Sequence, residues 1–393
     1  RYVNNRQWNE IVFRESYDRY QDLRSFGVKF LEENGEVVRL PHPLTHLAMP
    51  DKDKFPPLVS EVVHWMPGWP MAIRRHLKKP GVELVERVII CELLKQQDRI
   101  VGAIGFPVDD ESPVVFRAGS VVICAGGGGF RPPGYPTHEL TADGVALAYR
   151  VGAGVTGKEF ASPMTPSDLE PRPGWQSMYE HFSSGHSAAL PGAVENVPFV
   201  GRQFNAEGDE VPHRGMSWHG WIDVHYEVHA GRGPVHILRP NGRRLKVNGP
   251  GAAGSMHGHA TAGIFPTGTD CGVGIPGLYA AGDSLGVQFV GATYSGFGFA
   301  TAYACVSGAR AGGAAAEFAK ESGRPSLDAG MVKDMCASMV LPVERRGGFS
   351  PRWVTEVLRS YLVPYFVMYI KHEDRLKAAL TNVEFIRDHL LPR

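Results

Sequence analysis

The fold of this chain is decided by residues 274–312, which read GIPGLYAAGDSLGVQFVGATYSGFGFATAYACVSGARAG. A short apolar run over 278–281 follows a Pro-Gly pair, as in a buried strand. Gly282 then turns the chain, and Asp283 supplies a carboxylate at the carboxyl end of the strand, where open α/β sheets hold their ligands. From 296 to about 313 the side chains are small, which predicts a thin helix. The first turn of such a helix can face an electron-rich or anionic group.

The composition is that of a globular protein without a polyanion-binding surface. The chain has 393 residues, enough for two or three domains with sizeable cores. Its 41 basic and 41 acidic residues give a formal net charge of +0, so no nucleic-acid partner is implied. No apolar run approaches the length of a membrane span, and no signal peptide is visible. Because the first residue is Arg1 and not Met, we expect a fragment or a processed form.

The cysteines and histidines do not form a metal-binding pattern. The cysteines are odd in number, scattered and without a CxxC pair: Cys91, Cys124, Cys271, Cys305 and Cys336. They indicate reduced, mostly buried thiols in a cytoplasmic protein. The histidine pairs His42 with His46 and His257 with His259 lack a third ligand at a suitable spacing. We therefore expect no bound metal.

Apolar patterns on both sides of residues 274–312 predict further elements. A helix is expected from about Gln7 until Gly27 ends it. From Gly81 onward, VELVERVIICELL, RIVGAIGFPV, PVVFRAG and SVVICAGG have the lengths of strands, and the last is typical of a buried parallel strand. In the tail, Pro351 is expected to start a helix. Two stripes at helical spacing are assigned to the core: Trp353, Val357 and Tyr361, then Leu376, Leu380, Val383 and Leu390.

The motif GLYAAGDS, a Gly-Ala turn and a small-residue helix ending in GARAG together resemble the C-terminal flavin-binding motif of the fumarate reductase/succinate dehydrogenase flavoprotein superfamily. Two earlier segments keep the order of that family, because 123–127 resembles its ATGG strand end and TADG at 141–144 resembles its TGDG helix start. TADG alone is also a capped helix start that needs no ligand. The resemblance implies an FAD cofactor. The implied contacts are Ala125, Gly126, Gly127, Asp143, Gly282, Asp283, Phe299 and Ala300.

One departure from the family concerns the nucleotide half of the cofactor. Gly126 and Gly128 could begin a dinucleotide fingerprint, but Arg131 stands at the third glycine position and prolines follow it. The ADP-binding βαβ unit of the family is therefore expected to lie outside residues 1–393. We expect these residues alone to bind FAD poorly.

The resemblance implies an α/β fold class. The expected arrangement is a Rossmann-like FAD-binding domain split in sequence, with an inserted α+β capping domain and a C-terminal helical region. The expected boundaries are 1–130 for the first part of the FAD-binding domain, 131–250 for the capping or substrate domain, 251–320 for the second part of the FAD-binding domain, and 321–393 for the helical region.

Two residues are the implied catalytic groups, His259 and Tyr294. HGHATAGI at 257–264 is similar to the family's H-T-x-G-G-I and places His259 on its substrate-binding histidine. The alternative is a loop histidine that is bonded to backbone. Family members that handle dicarboxylates carry an arginine where this chain has Tyr294, and an Arg-Asp pair near the position of Trp218. Because arginine offers two charged donors and tyrosine one neutral hydroxyl, the resemblance implies a weakly charged enone, ketone or ring substrate.

The implied activity is that of an FAD-dependent oxidoreductase that transfers a hydride between flavin N5 and a carbon next to an activating group of a small molecule. Two alternatives stay open. One is an adenylylsulfate-reductase-like flavoprotein subunit with an iron–sulfur partner, and the other is a non-catalytic fold remnant that serves in assembly. We expect a cytoplasmic protein with an electron-transfer partner protein, no nucleic acid and no membrane span.

Overall fold

The structure is a computed structural model, and it describes residues 3–30, 32–37, 39–41, 59–61, 68–110, 112–129, 141–160, 162–163, 202–211, 226–227, 230–238, 242, 244–247, 253–255, 262–289, 299–362, 367 and 371–392. The helices of this part are α1 (Arg6–Ser25), α2 (Gly68–Leu77), α3 (Asp143–Arg150), α4 (Phe299–Ser322), α5 (Ala329–Glu344), α6 (Pro351–Leu362) and α7 (Glu373–Phe385). Its strands are β1 (Glu32–Glu33), β2 (Glu36–Val37), β3 (Arg39–Pro41), β4 (Val59–Glu61), β5 (Val88–Gln96), β6 (Arg99–Pro107), β7 (Val114–Arg117), β8 (Val121–Ile123), β9 (Val155–Thr156), β10 (Ser162–Pro163), β11 (Arg202–Phe204), β12 (Glu210–Val211), β13 (Val235–Leu238), β14 (Arg244–Val247), β15 (Ala253–Ser255), β16 (Gly263–Ile264) and β17 (Leu278–Ala280).

The main core is built around two parallel strands, β8 and β17. Val121 pairs with Leu278 and Ile123 pairs with Ala280, so that the two strands end at the same edge. All three residues of β17 are buried, as the apolar run predicts. Gly277 precedes the strand with a φ of +78°, a left-handed conformation that favours glycine. The deciding stretch therefore forms the expected buried strand, and its partner is the parallel strand that the sequence predicted.

The three strands before β8 form an antiparallel meander in the order β5-β6-β7. Ile100 and Ile104 of β6 are fully buried and anchor the meander. The strand predicted from Gly81 begins only at Val88. Residues 82–87 form no regular strand. Glu86 forms an ion pair with Arg74 of α2, and the carbonyl oxygen of Arg87 accepts from the N–H of Val108 at 2.8 Å.

Helix α4 lies against the parallel pair with a buried face formed by Tyr303, Val306, Ala311 and Ala315. The prediction that this helix ends near residue 313 is wrong, since it continues to Ser322. Alanines at 314–316 follow the glycines, and alanine has the highest helix propensity. Their favourable contribution keeps the helix continuous.

Helix α1 packs on α4. The ring of Trp8 meets the ring of Tyr303 edge to face, with 6.3 Å between the centroids. Arg310 of α4 forms an ion pair with Glu15 of α1 and donates to the carbonyl oxygen of Thr269 at 2.9 Å. This arginine thus joins two helices and the loop that leads into β17.

Three predicted helix boundaries are confirmed. α1 ends at Ser25, and Gly27 follows with a φ of +88°. α3 begins at Asp143, and α6 begins at Pro351. Each boundary follows from local chemistry, namely a left-handed glycine, an acidic residue in a first turn, and a proline whose missing N–H costs nothing there.

Part of the stretch expected to form the capping domain folds as an antiparallel sheet in the order β12-β11-β13-β14. The turn between β11 and β12 is organised by Asn205, whose side-chain oxygen accepts from the N–H groups of Glu207 at 3.0 Å and Asp209 at 2.9 Å. The amide group of Asn205 donates to Glu227 at 3.1 Å, and Glu227 pairs with Arg232 at 2.7 Å. These contacts tie the turn to the chain before β13.

The C-terminal helices bury only some of the residues that the sequence predicted, Leu390 among them. Trp353 is 48% exposed and Leu380 is 58% exposed, so the assignment of the two stripes to the core is wrong at these positions. The buried residues of this region include Val354, Ile386 and Leu390, which form one small cluster. The sequence predicted the helices correctly from their apolar spacing. The face of each helix that packs differs from the predicted one, because periodicity alone does not identify the neighbouring element.

The described residues hold no group of three or more histidine, cysteine, aspartate and glutamate side chains that could bind a metal. All five cysteines are free, but only Cys271 is buried, and Cys124 is exposed. The expectation of mostly buried thiols is therefore wrong. Within the described ranges, no helix has the length and apolarity that a membrane crossing requires. The pairs His42 with His46 and His257 with His259 lie outside these ranges.

Candidate functional site

The candidate site lies at the carboxyl ends of β8 and β17. Because the strands are parallel, the glycines after β8 and the turn after β17 meet at one edge. The hydroxyl of Ser284 donates to the carbonyl oxygen of Gly126 at 3.0 Å. Ser284 is completely buried, and Gly127 is buried as well. The two segments that the sequence assigns to the cofactor are therefore in direct contact.

Helix α3 brings the third predicted segment to the same edge. A β-carbon added at Gly144 would lie 2.7 Å from the β-carbon of Ala125 and 2.9 Å from a methyl of Ile123. Only glycine permits this close approach of helix and strand end. Asp143, the first residue of α3, is exposed and accepts a hydrogen bond from the hydroxyl of Thr141.

The turn that carries Asp283 is a single turn of 3₁₀-helix over Gly282–Ser284. Gly282 has a φ of +59°, which favours glycine. Its N–H donates to the hydroxyl oxygen of Ser307 at 2.9 Å, and the Ser307 hydroxyl donates to the carbonyl oxygen of Tyr303 at 2.7 Å. Two residues beyond Asp283 in the chain, the carbonyl oxygen of Leu285 accepts from the Tyr303 hydroxyl at 2.8 Å. The turn is thus bonded to α4 on both sides of Asp283.

The groups behind the turn are held in their uncharged forms. Complete burial raises the pKa of the Tyr303 phenol well above its ordinary value, and the negative charges of Asp283 and, once it ionises at alkaline pH, of Cys271 raise it further. Burial also raises the pKa of the Cys271 thiol to about 12. This thiol donates to the carbonyl oxygen of Ser307 at 3.5 Å. Near neutral pH, both side chains therefore act as neutral hydrogen-bond donors.

A further glycine supports the turn from the other side. A β-carbon added at Gly263 would lie 2.6 Å from the carbonyl oxygen of Ser284. The N–H of Gly286 donates to the carbonyl oxygen of Ile264 at 2.9 Å. Strand β16 is consequently in contact with the turn. The described range that contains this strand begins at Ala262.

The structure brings together most of the predicted cofactor contacts. The three segments that meet contain Ala125, Gly126 and Gly127, then Asp143, then Gly282 and Asp283. Helix α4 begins at Phe299, and Ala300 is half-buried. The predicted catalytic residues His259 and Tyr294 lie outside the described residues, as does Trp218.

Sequence reasoning missed four residues that hold the site together: Gly263, Ser284, Tyr303 and Ser307. Three of them offered a weak signal, since a serine or tyrosine on a buried strand end or helix must bond its hydroxyl to something. Gly263 was read only as part of a histidine motif. The positions of these residues in the sequence do not identify the groups that they bond to or pack against.

The edge fits the dinucleotide cofactor that the motifs imply. Its surface is made of small residues, because Ala125 is exposed and the chain on either side of it consists of glycine, alanine and cysteine. Gly144 lets backbone approach backbone, and Asp283 adds a carboxylate that can accept hydrogen bonds from hydroxyl groups. A flat ring system with a polyhydroxylated chain requires this combination of a thin wall and one acceptor.

Comparison with known proteins gives the same assignment. A family described as FAD binding domain matches residues 1–186. One of the subunits of the CoM/CoB fumarate reductase from Methanothermobacter marburgensis is 27% identical over 167 residues, which are 40% of this chain and 28% of that protein. The matched stretch thus spans less than a third of this curated relative.

Solved structures match over nearly the whole chain. Sdh1 of Mycobacterium smegmatis in complex with UQ1 is 20% identical with a TM-score of 0.69, covering 98% of this chain and 68% of its own. The FrdA chain of E. coli quinol fumarate reductase is 14% identical with a TM-score of 0.70, covering 98% and 70%. Adenylylsulfate reductase of Archaeoglobus fulgidus is 16% identical with a TM-score of 0.63, covering 96% and 69%. The resemblance read from the sequence is therefore confirmed: the chain has the fold of the fumarate reductase and succinate dehydrogenase flavoproteins. Its first 186 residues match the FAD binding domain, and the cofactor is FAD.

Proposed function

We propose that the protein is an FAD-dependent oxidoreductase acting on a weakly charged small molecule. FAD, when bound, supplies hydride transfer at its N5 atom to or from a carbon next to an activating group. The observation that carries the proposal is the junction of three segments at one sheet edge, where Ser284 bonds to Gly126 and Gly144 meets Ala125 beside the Asp283 turn.

The residues of this edge have separate parts in holding the cofactor. Asp283 would accept hydrogen bonds from the ribityl hydroxyls of FAD. The small residues Ala125, Gly126 and Gly127 let backbone pass close to the dinucleotide, and Asp143 lies at the start of the adjacent helix. The first turn of α4, at Phe299 and Ala300, would lie near the pyrimidine end of the ring, because the positive end of the helix dipole favours an electron-rich group.

The proposed substrate follows from sequence positions. Burying the two charges of fumarate requires paired cationic donors that offset the cost of desolvation. This chain has Tyr294 in one arginine position and Trp218 near the other. An enone, a cyclic ketone or an aromatic-derived ring can be buried without paired cationic donors. In this proposal, His259 orients and polarises the activating oxygen, and Tyr294 donates or accepts a proton.

The chain is also proposed to work with an electron-transfer partner protein. The curated relative is by name one subunit of its enzyme, so a second subunit is expected here too. The likeness to adenylylsulfate reductase keeps the alternative of a flavoprotein subunit with an iron–sulfur partner, because the three solved folds have similar TM-scores. We also propose that the domain boundaries lie at residues 130, 250 and 320 and that the protein is cytoplasmic.

The first experiment is a visible absorbance spectrum of the purified full-length protein. A flavin spectrum supports the oxidoreductase, and a colourless protein that stays colourless with added FAD supports the non-catalytic remnant. The second experiment offers fumarate, succinate, adenylylsulfate, and a panel of cyclic enones and ketones, with an artificial electron carrier. Turnover of ring compounds alone is the expected result. Turnover of adenylylsulfate would support the adenylylsulfate-reductase-like alternative, and turnover of fumarate or succinate would contradict the proposed substrate class.

A further inference from the structure

Helix α4 contains two buried hydroxyl groups that no cofactor contact requires. We propose that Ser307 and Tyr303 are positioning residues that set the flavin affinity of the site by fixing the backbone on both sides of Asp283. The inference rests on the proposed function, because it takes Asp283 as a flavin ligand. Neither hydroxyl is proposed to touch the cofactor.

The first anchor is the hydroxyl of Ser307. A serine inside a helix ordinarily bonds back to a carbonyl of the preceding turn, and Ser307 does so by donating to Tyr303 at 2.7 Å. It also uses its acceptor capacity on a group outside the helix, the N–H of Gly282, at 2.9 Å. Gly282 directly precedes Asp283, and the Ser307 side chain that accepts this bond is fully buried.

The second anchor is the phenol of Tyr303. It donates to the carbonyl oxygen of Leu285 at 2.8 Å and is fully buried. Since Tyr303 and Ser307 are four residues apart on one helix, they present their side chains on the same face. The two anchor points lie on either side of Asp283 and belong to one rigid element. Such support can hold a binding group within about 0.5 Å of its working position.

Other hydroxyl groups of the C-terminal helices show what an ordinary helical hydroxyl does. Ser360 of α6 donates to the carbonyl oxygen of Val357 at 2.7 Å and is exposed. Thr381 of α7 donates to the carbonyl oxygen of Lys377 at 3.1 Å and is exposed as well. Both bonds stay within one helix. Ser360 therefore provides a matched control for Ser307.

The test measures FAD affinity of the full-length apoprotein by the quenching of flavin fluorescence. Ser307→Ala and Tyr303→Phe are each expected to weaken FAD binding by roughly tenfold, because each leaves one backbone group of the turn without its partner. Ser360→Ala is expected to leave FAD affinity unchanged. Tyr303→Phe keeps the aromatic ring, so it provides a folded variant even where Ser307→Ala unfolds the protein.

A double-mutant cycle with Asp283→Asn separates positioning from general support of the fold. If the two hydroxyls act through the carboxylate, Ser307→Ala and Tyr303→Phe have little further effect on FAD affinity in the Asp283→Asn background. Equal effects in both backgrounds would overturn the inference, as would single variants that bind FAD as tightly as the wild type. A wild-type protein that binds no FAD overturns the proposed function itself, and with it this inference.

Discussion

Ser284 and Gly126 join the two halves of the candidate cofactor site through one hydrogen bond of 3.0 Å. Ser284 directly follows Asp283, and Gly126 lies in the glycine segment after β8. The bond therefore sets the distance between the proposed ribityl acceptor and the backbone along which the dinucleotide is proposed to pass. Substitutions at this junction and at the groups around it have measurable consequences.

Replacing Ser284 with alanine is expected to weaken both the fold and cofactor binding. The carbonyl oxygen of Gly126 loses its donor, and the loss of such a bond costs about 1 kcal/mol of stability, or more when the acceptor stays buried. Urea denaturation of the apoprotein and FAD titration measure the two effects. Ser16→Ala is the control, because the half-buried Ser16 bonds to the Phe13 carbonyl oxygen of its own helix at 3.2 Å. Equal values for both variants would contradict the prediction.

Asp283→Ala is expected to lower FAD affinity by about 10- to 100-fold. A hydrogen bond to a charged group contributes roughly 1.5–3 kcal/mol, and the proposed ribityl contacts use this carboxylate. Asp334→Ala removes an exposed carboxylate on α5 and serves as the control. Unchanged flavin content of the full-length Asp283→Ala protein would show that another group binds the ribityl chain.

Gly144→Ala is expected to separate α3 from the end of β8. The added β-carbon would lie 2.7 Å from the β-carbon of Ala125, so the cost is that of overpacking, typically about 1–3 kcal/mol. Gly313→Ala is the matched control, because a β-carbon there meets nothing within 4 Å in the described residues. In a helix interior that change should stabilise by roughly 0.5–1 kcal/mol. Thermal unfolding compares the two, and a loss of stability in both variants contradicts the argument.

The stability of the protein is expected to fall as the pH rises above about 9. The Cys271 thiol has a pKa of about 12 in the fold, raised by burial from an ordinary value of 9.0. Its contribution is fully present below pH 9 and is lost toward pH 12, because the unfolded chain gives up the proton first. The loss of one such proton lowers the free energy of unfolding by at most about 1.4 kcal/mol per pH unit.

Cys271→Ala is expected to flatten this alkaline slope in urea denaturation series measured between about pH 8 and 10. Val273→Ala is the control, because Val273 is a buried neighbour in the same loop whose truncation removes packing but no proton. It should lower stability by a similar amount at every pH. If the free energy of unfolding of Cys271→Ala falls with alkaline pH as steeply as that of the wild type, other groups cause the loss of stability.

Tyr294→Phe is expected to slow turnover of a cyclic enone or ketone by roughly 10²–10³-fold, the usual cost of removing one hydrogen-bond donor from a reacting oxygen. Binding of the same substrate should change much less, so kcat falls and KM stays close to its wild-type value. His259→Gln provides the comparison at the second proposed position. Efficient turnover of fumarate or succinate, with the ring compounds inert, would contradict the substrate proposal.

Local sequence signals predicted the parts of the fold that are decided by local chemistry. The strand at 278–280, the left-handed Gly282 and the helix start at Asp143 follow from apolar runs and turn residues, and all three are present. The contacts that assemble the site depend on distant partners. Ser307 bonds to a residue 25 positions away, and no spacing in the sequence encodes that pairing.

For a related reason, the sequence could not predict which faces of the C-terminal helices α6 and α7 pack against their neighbours. Both Trp353 and Val354 fit an apolar stripe, yet Val354 is buried and Trp353 is 48% exposed. The difference is set by contact with Ile386 and Leu390, which follow a second helix. A helical period restricts the buried face to about a third of the circumference, and the neighbouring element selects the residues within it.

The parallel pairing of β8 with β17 has a consequence for the way in which the protein is made. The two segments joined by Ser284 and Gly126 are 158 residues apart along the chain. A ribosome adding about 5–20 residues per second completes the first strand roughly 8–30 s before the second. During that interval β8 lacks β17, the strand with which it pairs in the described part of the chain, and closing so long a loop is slow. Nascent chains halted between these strands are therefore expected to expose β8 and to be bound by chaperones.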